Sequence, residues 1–102
     1  MDEQPKRILR GISKALDIPQ HQILNSPDYA AAHARYIAWE FLHRDGDYST
    51  REIAQQFGTH KHNSIVGGLR KFRDLGETDK LFQAKLAKCT RRIRKENPWN
   101  TI

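Results

Sequence analysis

A serine followed three residues later by a glutamate, Ser49 and Glu52, limits the folds open to this chain more than any other pair in it. Such a pair forms a capping box: each side chain accepts from the other residue's backbone amide, so two otherwise orphaned donors are satisfied and a helix is fixed to begin near Thr50. Ile53, Ala54 and Phe57 then share one face of that helix. Ala54 is small where a second helix must pass close by, and Gly58 supplies the positive φ that stops the chain turning. A second helix is expected from His62 or Asn63 to Leu75, burying Ile65, Leu69 and Phe72 and closed by Gly76. Residues 49–73 therefore read as a helix-turn-helix. Thr59, His60, Lys61, His62, Asn63 and Ser64 line the start of its second helix, with Ser49, Thr50 and Arg51 at the start of the first and Arg70 and Lys71 further along. These are side-chain types that reach base edges and phosphates from a recognition helix, which points to duplex DNA.

The remaining segments read as helices that support this unit. Ile8, Leu9, Ile12 and Leu16 mark one face of an opening helix, and the Pro19 segment with Ile23 and Leu24 reads as a short second one. A long helix from Asp28 to His43 is expected to bury Ala34, Ile37, Ala38, Phe41 and Leu42, with Trp39 partly packed into the core. Asp45-Gly46 is a turn signal. Thr78 or Asp79 caps a last helix whose Leu81, Phe82, Leu86, Cys89 and Ile93 face inward, and Pro98 stops it before a loosely ordered tail over 96–102. The fold class is thus all-α, a compact domain of about five to six helices containing a helix-turn-helix. Residues 1–102 form one domain with its core over about 6–95.

Three segments, in order, resemble the carboxy-terminal DNA-binding domain of the bacterial chromosomal replication initiator DnaA, which has a Trp-repressor-like helix-turn-helix. R-I-L-R-G-I-S-K-A-L-D-I-P-Q-H-Q-I-L is similar to its first two helices, A-R-Y-I-A-W-E-F-L to its A-R-Q-I-A-M-Y-L-A helix, and residues 49–65 to its S-L-P-E-I-G-x-x-F helix and G-G-R-D-H-T-T-V signature. The resemblance implies an all-helical domain in which Arg35 enters the minor groove while the loop and helix start after Gly58 read bases in the major groove. His62 matches the signature histidine, and Ser64 matches its second threonine conservatively. Departures fall on base-reading positions: His60 stands for arginine, Lys61 for aspartate and Asn63 for the first threonine. N-S-P-D-Y-A-A-A-H carries Asp28 and no lysine or arginine where the family has a basic phosphate-gripping loop. The preferred site is therefore expected to differ from the family's.

Charge agrees with a polyanionic partner. Net charge is +6, and it is lopsided: residues 1–50 hold 6 Lys and Arg against 7 Asp and Glu, a net of −1, whereas residues 51–102 hold 12 against 5, a net of +7. Such polarity favours fast, salt-sensitive association with nucleic acid, against the alternative of charge runs that are only solvated helix faces. Cys89 stands alone, so it forms no internal disulfide and no zinc-type pair and reads as a small buried apolar residue. Without a secretory segment or an apolar run near 18 residues, a cytoplasmic, nucleoid-associated location and no membrane partner are expected.

Other functional classes fit less well. No G-x-x-x-x-G-K-[ST] loop or G-x-G-x-x-G fingerprint is present, so no nucleotide cofactor and no enzymatic activity are expected. His60 and His62 are the strongest metal pair, yet i, i+2 spacing without a nearby cysteine or paired carboxylate makes a poor ligand set. His43 beside Asp45 and Asp47 reads as loop chemistry. RNA is disfavoured because no aromatic platform or G-x-x-G pattern is evident. The competing class is a protein-interaction or adaptor domain that kept the fold, with other replication or regulatory proteins as partners. Some residues stay open. Arg35 pairs with Asp28 or Glu40 if it is not in the groove. Gly67 and Gly68 admit either a helix crossing, ranked first, or a phosphate. Arg91, Arg92, Arg94 and Lys95 are as consistent with a solvated helix end as with DNA.

Overall fold

In the computed structural model, residues 1–58 and 60–96 are described, and among them the chain is entirely helical outside its turns. Six helices follow one another: α1 (Glu3–Leu16), α2 (Gln20–Asn25), α3 (Tyr29–Arg44), α4 (Thr50–Phe57), α5 (His62–Thr78) and α6 (Lys80–Glu96). The expected tail over 96–102 and the stop at Pro98 fall, apart from the backbone of Glu96, outside the described residues.

α3 is apolar around most of its circumference, which suits only a helix surrounded by others. It buries Ala31, Ala34, Ile37, Ala38, Trp39, Phe41 and Leu42 and packs against each of the other five helices. α1 supplies Ile8, Leu9 and Ile12 to the same core and lies along α6, whose Phe82, Cys89 and Ile93 are fully buried. Burial pushes the Cys89 thiol up to about 12, so it remains an apolar thiol at neutral pH.

Two sequence expectations are corrected along this frame. Leu81 is 76% exposed rather than inward, because the stripe Phe82, Leu86, Cys89 and Ile93 at i, i+4, i+7 and i+11 fixes the buried face of α6 and leaves the preceding residue about 100° away. Gly76 does not close α5; the helix runs through it to Thr78. The break is set instead by Asp79, whose extended backbone ends α5 and whose Oδ1 accepts from the Phe82 amide at 2.9 Å, starting α6 with one residue between them.

The first helix also braces the turn that leads into α4. Asp2 donates its amide to Gln56 Oε1 at 2.6 Å and accepts from the Tyr48 hydroxyl at 3.1 Å. His43 Nδ1 lies 2.9 Å from the Tyr48 carbonyl, so its role is the loop staple that its neighbourhood suggested, with Tyr48 rather than Asp45 or Asp47 as partner.

His33 gives this packing a pH dependence. It sits against Phe82 edge-on with ring centres 5.3 Å apart, and its Nδ1 is 3.1 Å from Lys85 Nζ, which must donate to an unprotonated nitrogen. Burial, then the Lys85 charge, lower its pKa below the ordinary 6.5, while Asp79 opposes them. A folded pKa below the unfolded one means that this contribution is fully present above the unfolded value and is lost as pH falls through the folded value. Resistance to thermal unfolding is expected to weaken as pH falls below the ordinary histidine value of 6.5, and His33→Gln should flatten that dependence. An unchanged slope in the variant would assign the acid sensitivity elsewhere.

Candidate nucleic-acid interface

α4 begins as its sequence requires. Ser49 Oγ accepts from the Glu52 amide at 3.1 Å and Glu52 Oε1 accepts from the Ser49 amide at 3.0 Å, so the full capping box is formed. Ile53 and Phe57 are buried, and Gly58 ends the helix at φ +57 and ψ −51, a region that side chains other than glycine's rarely enter. The four residues 58–61 then lead into α5. Thr59 lies outside the described residues.

α5 starts differently from α4. Its N-cap, Lys61, has extended backbone and no side-chain acceptor on the first turn. Around this start Lys61, Asn63 and Ser64 are exposed and His62 half-buried, and no side-chain cap is seen among the described residues, an arrangement able to take an outside acceptor. Arg51 at the start of α4 is exposed and Thr50 half-buried, while Arg70 and Lys71 are exposed about two turns further along α5. α5 buries Ile65 and Gly68 and packs Leu69, Phe72 and Leu75 partly against the core, leaving the opposite face, with Asn63, Gly67, Arg70 and Lys71, exposed.

Two residues expected at this surface make hydrogen bonds to the backbone around α2. His60 Nε2 lies 2.9 Å from the Leu24 carbonyl, and its half-buried ring meets Trp39 at 5.4 Å and 67°. Arg35 is 9% exposed, and its Nη1 donates to the carbonyls of Ile23 at 2.9 Å and Ser26 at 2.8 Å. These carbonyls take the place of the expected alternative ion pair with Asp28 or Glu40. Burial lowers the pKa of the guanidinium from its ordinary value, yet an arginine stays charged at neutral pH and complements the negative end of α2.

Trp39 is more than partly packed: it is 2% exposed and joins three elements to α3. Its ring packs edge-to-face on Phe57 at 6.0 Å, receives His60 from the turn, and lies over Gly68 of α5, where a Cβ would overlap the ring. The helix-crossing role expected of the glycine pair therefore belongs to Gly68. At Gly67 a Cβ would meet nothing within 4 Å, so packing does not require glycine there. Beside it runs a groove of about 360 Å³ between α3 and α5, edged by Arg35, Trp39, His60, Ser64, Gly67 and Lys71. Sequence reasoning named most of these residues singly but not the groove. Its signal was the spacing of Ser64, Gly67, Gly68 and Lys71 at i, i+3, i+4 and i+7.

Among the described residues, no three His, Cys, Asp or Glu side chains converge as a metal site, and no helix is long and apolar enough to cross a membrane. No family model, curated protein or solved structure matches the chain.

Proposed function

We propose that this chain binds duplex DNA sequence-specifically as a module of the initiator type, acting in replication or transcription control in the cytoplasm at the nucleoid. The observation that carries the reading is the exposed, basic, side-chain-uncapped start of α5, set beside the capped start of α4 across the Gly58 turn. An α-helix fits the major groove, and its first turn offers both amides to phosphate and side chains to base edges. Asn63 and Ser64 are assigned to bases, Lys61, Arg70, Lys71 and Arg51 to phosphates, and Ser49 and Thr50 to positioning α4. His62 is assigned a contact from the half-buried edge of the same turn.

Selection from a randomised duplex library is expected to yield a preferred site distinct from the one the resembled family reads, because Lys61 donates where that family has a carboxylate acceptor. With about four to six phosphates neutralised, log affinity should fall against log salt with a slope of about −3.6 to −5.4. Asn63→Ala should lose about 1–3 kcal/mol and relax discrimination at one base position while leaving nonspecific affinity nearly intact. A flat salt response, or no binding at low salt, would overturn the reading. The adaptor alternative would then gain from the α2–α3 connection, where Asp28 stands without a neighbouring lysine or arginine in sequence and Tyr29 is 85% exposed.

A further inference from the structure

α6 carries seven cations and no acid between Lys80 and Lys95. Four of them, Lys88, Arg91, Arg92 and Lys95, recur at i, i+3, i+4 and i+7 and so share one face, where like charges repel. The fold adds a fifth from another element. Lys14, near the end of α1, joins those four and Ala15 around a shallow cleft of about 390 Å³.

Among the described residues, none that lines the cleft carries a carboxylate. Neither of the ion pairs seen among the described residues, Arg7 with Glu3 and Arg44 with Asp45, includes Lys14, Lys88, Arg91 or Lys95. A helix end does attract cations in its last turn, but Lys88 and Arg91 precede that turn. Nor does packing require them, because α6 is held by Phe82, Cys89 and Ile93 while Lys88, Arg91 and Lys95 are exposed.

We infer that this α1–α6 cleft is an anion site for an oligophosphate chain, separate from the α4–α5 surface and independent of whether that surface binds DNA. Guanidinium forks and ammonium groups suit successive phosphate oxygens. Among the described lining residues there is no aromatic ring on which a base could stack and no carboxylate or side-chain amide to take a sugar hydroxyl, so what these residues offer a ligand is charge and phosphate geometry. Lys14 lies about 18 Å along α1 from Asp2, the residue that touches α4, given a rise of about 1.5 Å per residue.

Calorimetric titration of the full chain with tripolyphosphate, at constant ionic strength, tests the site. Tripolyphosphate should bind at least about tenfold more tightly than orthophosphate, and Lys88→Gln with Arg91→Gln should remove about tenfold or more of that affinity. Arg70→Gln with Lys71→Gln, on α5, should leave it unchanged. Circular dichroism of both double variants should match the parent, since all four side chains are exposed. Equal binding by the α6 variant, loss of binding in the α5 variant, or parity between tripolyphosphate and orthophosphate overturns the inference. So does displacement of tripolyphosphate by one equivalent of a short duplex, which would make the cleft part of the DNA footprint.

Discussion

Gly68→Ala should lower the stability of this domain by about 2 kcal/mol, whereas Gly67→Ala, one residue earlier on the same helix, should raise it by about 1 kcal/mol. Replacing an exposed mid-helix glycine by alanine removes backbone freedom from the unfolded chain and gains about 1 kcal/mol where nothing obstructs the methyl group. That condition holds at Gly67, which has open space around it. At Gly68 the same methyl would overlap ring carbons of Trp39 and come within 3.0 Å of Tyr36. The indole cannot swing aside, because Tyr36, Phe57 and His60 already enclose it. Overpacking of this kind costs about 1–3 kcal/mol and occasionally more, enough to reverse the helix gain. With about 4–8 °C of Tm per kcal/mol in a domain of this size, thermal melts should separate the two variants by more than about 10 °C. Shifts of the same sign would show that α5 does not cross α3 at Gly68.

That pair also shows where sequence reading stops. Two adjacent glycines in a helical pattern announce a close approach, but which one makes it depends on the register of α5 against Trp39, a residue 29 positions earlier in the chain. Features that close within a turn were legible. Ser49 and Glu52 form their box, Gly58 takes positive φ, and the periodic apolar residues of α1 and α3 fill the core. Gly76 misled because helix termination was decided three residues later, by an aspartate better placed to cap the next helix. Polar residues were the hardest. Composition gives the donors of Arg35 and His60 but not their acceptors, which are carbonyls in and just after α2 at separations of 9 to 36 residues. For Arg35 the resemblance implied the minor groove and the local alternative was an ion pair with Asp28 or Glu40, and neither reading names these carbonyls. The exposed residues around the α5 start needed only local helix position and were placed on that surface together.

Those α2 carbonyls carry the last expected result: Arg35→Ala should cost about 2–3 kcal/mol and lower Tm by at least about 10 °C. α2 has only six residues, too few to hold its own helical hydrogen bonds firmly, and its N-cap, Pro19, has no side-chain acceptor to offer. Its C-terminal carbonyls are instead satisfied from outside, Ile23 and Ser26 by Arg35 and Leu24 by His60. Truncating Arg35 leaves two acceptors without their charged donor, each a loss of about 1–3 kcal/mol, partly relieved where water reaches Ser26. The α2–α3 corner should loosen first, so amide exchange ought to rise at Gln22–Ser26 before it rises in α5. DNA binding discriminates this role from groove insertion. Measured at a temperature where the variant is still folded, its affinity should keep the parental salt slope, since the lost charge faced α2. A slope lowered by about one, with Tm unchanged, would return Arg35 to the minor groove of the duplex and leave the α2 carbonyls to be satisfied some other way.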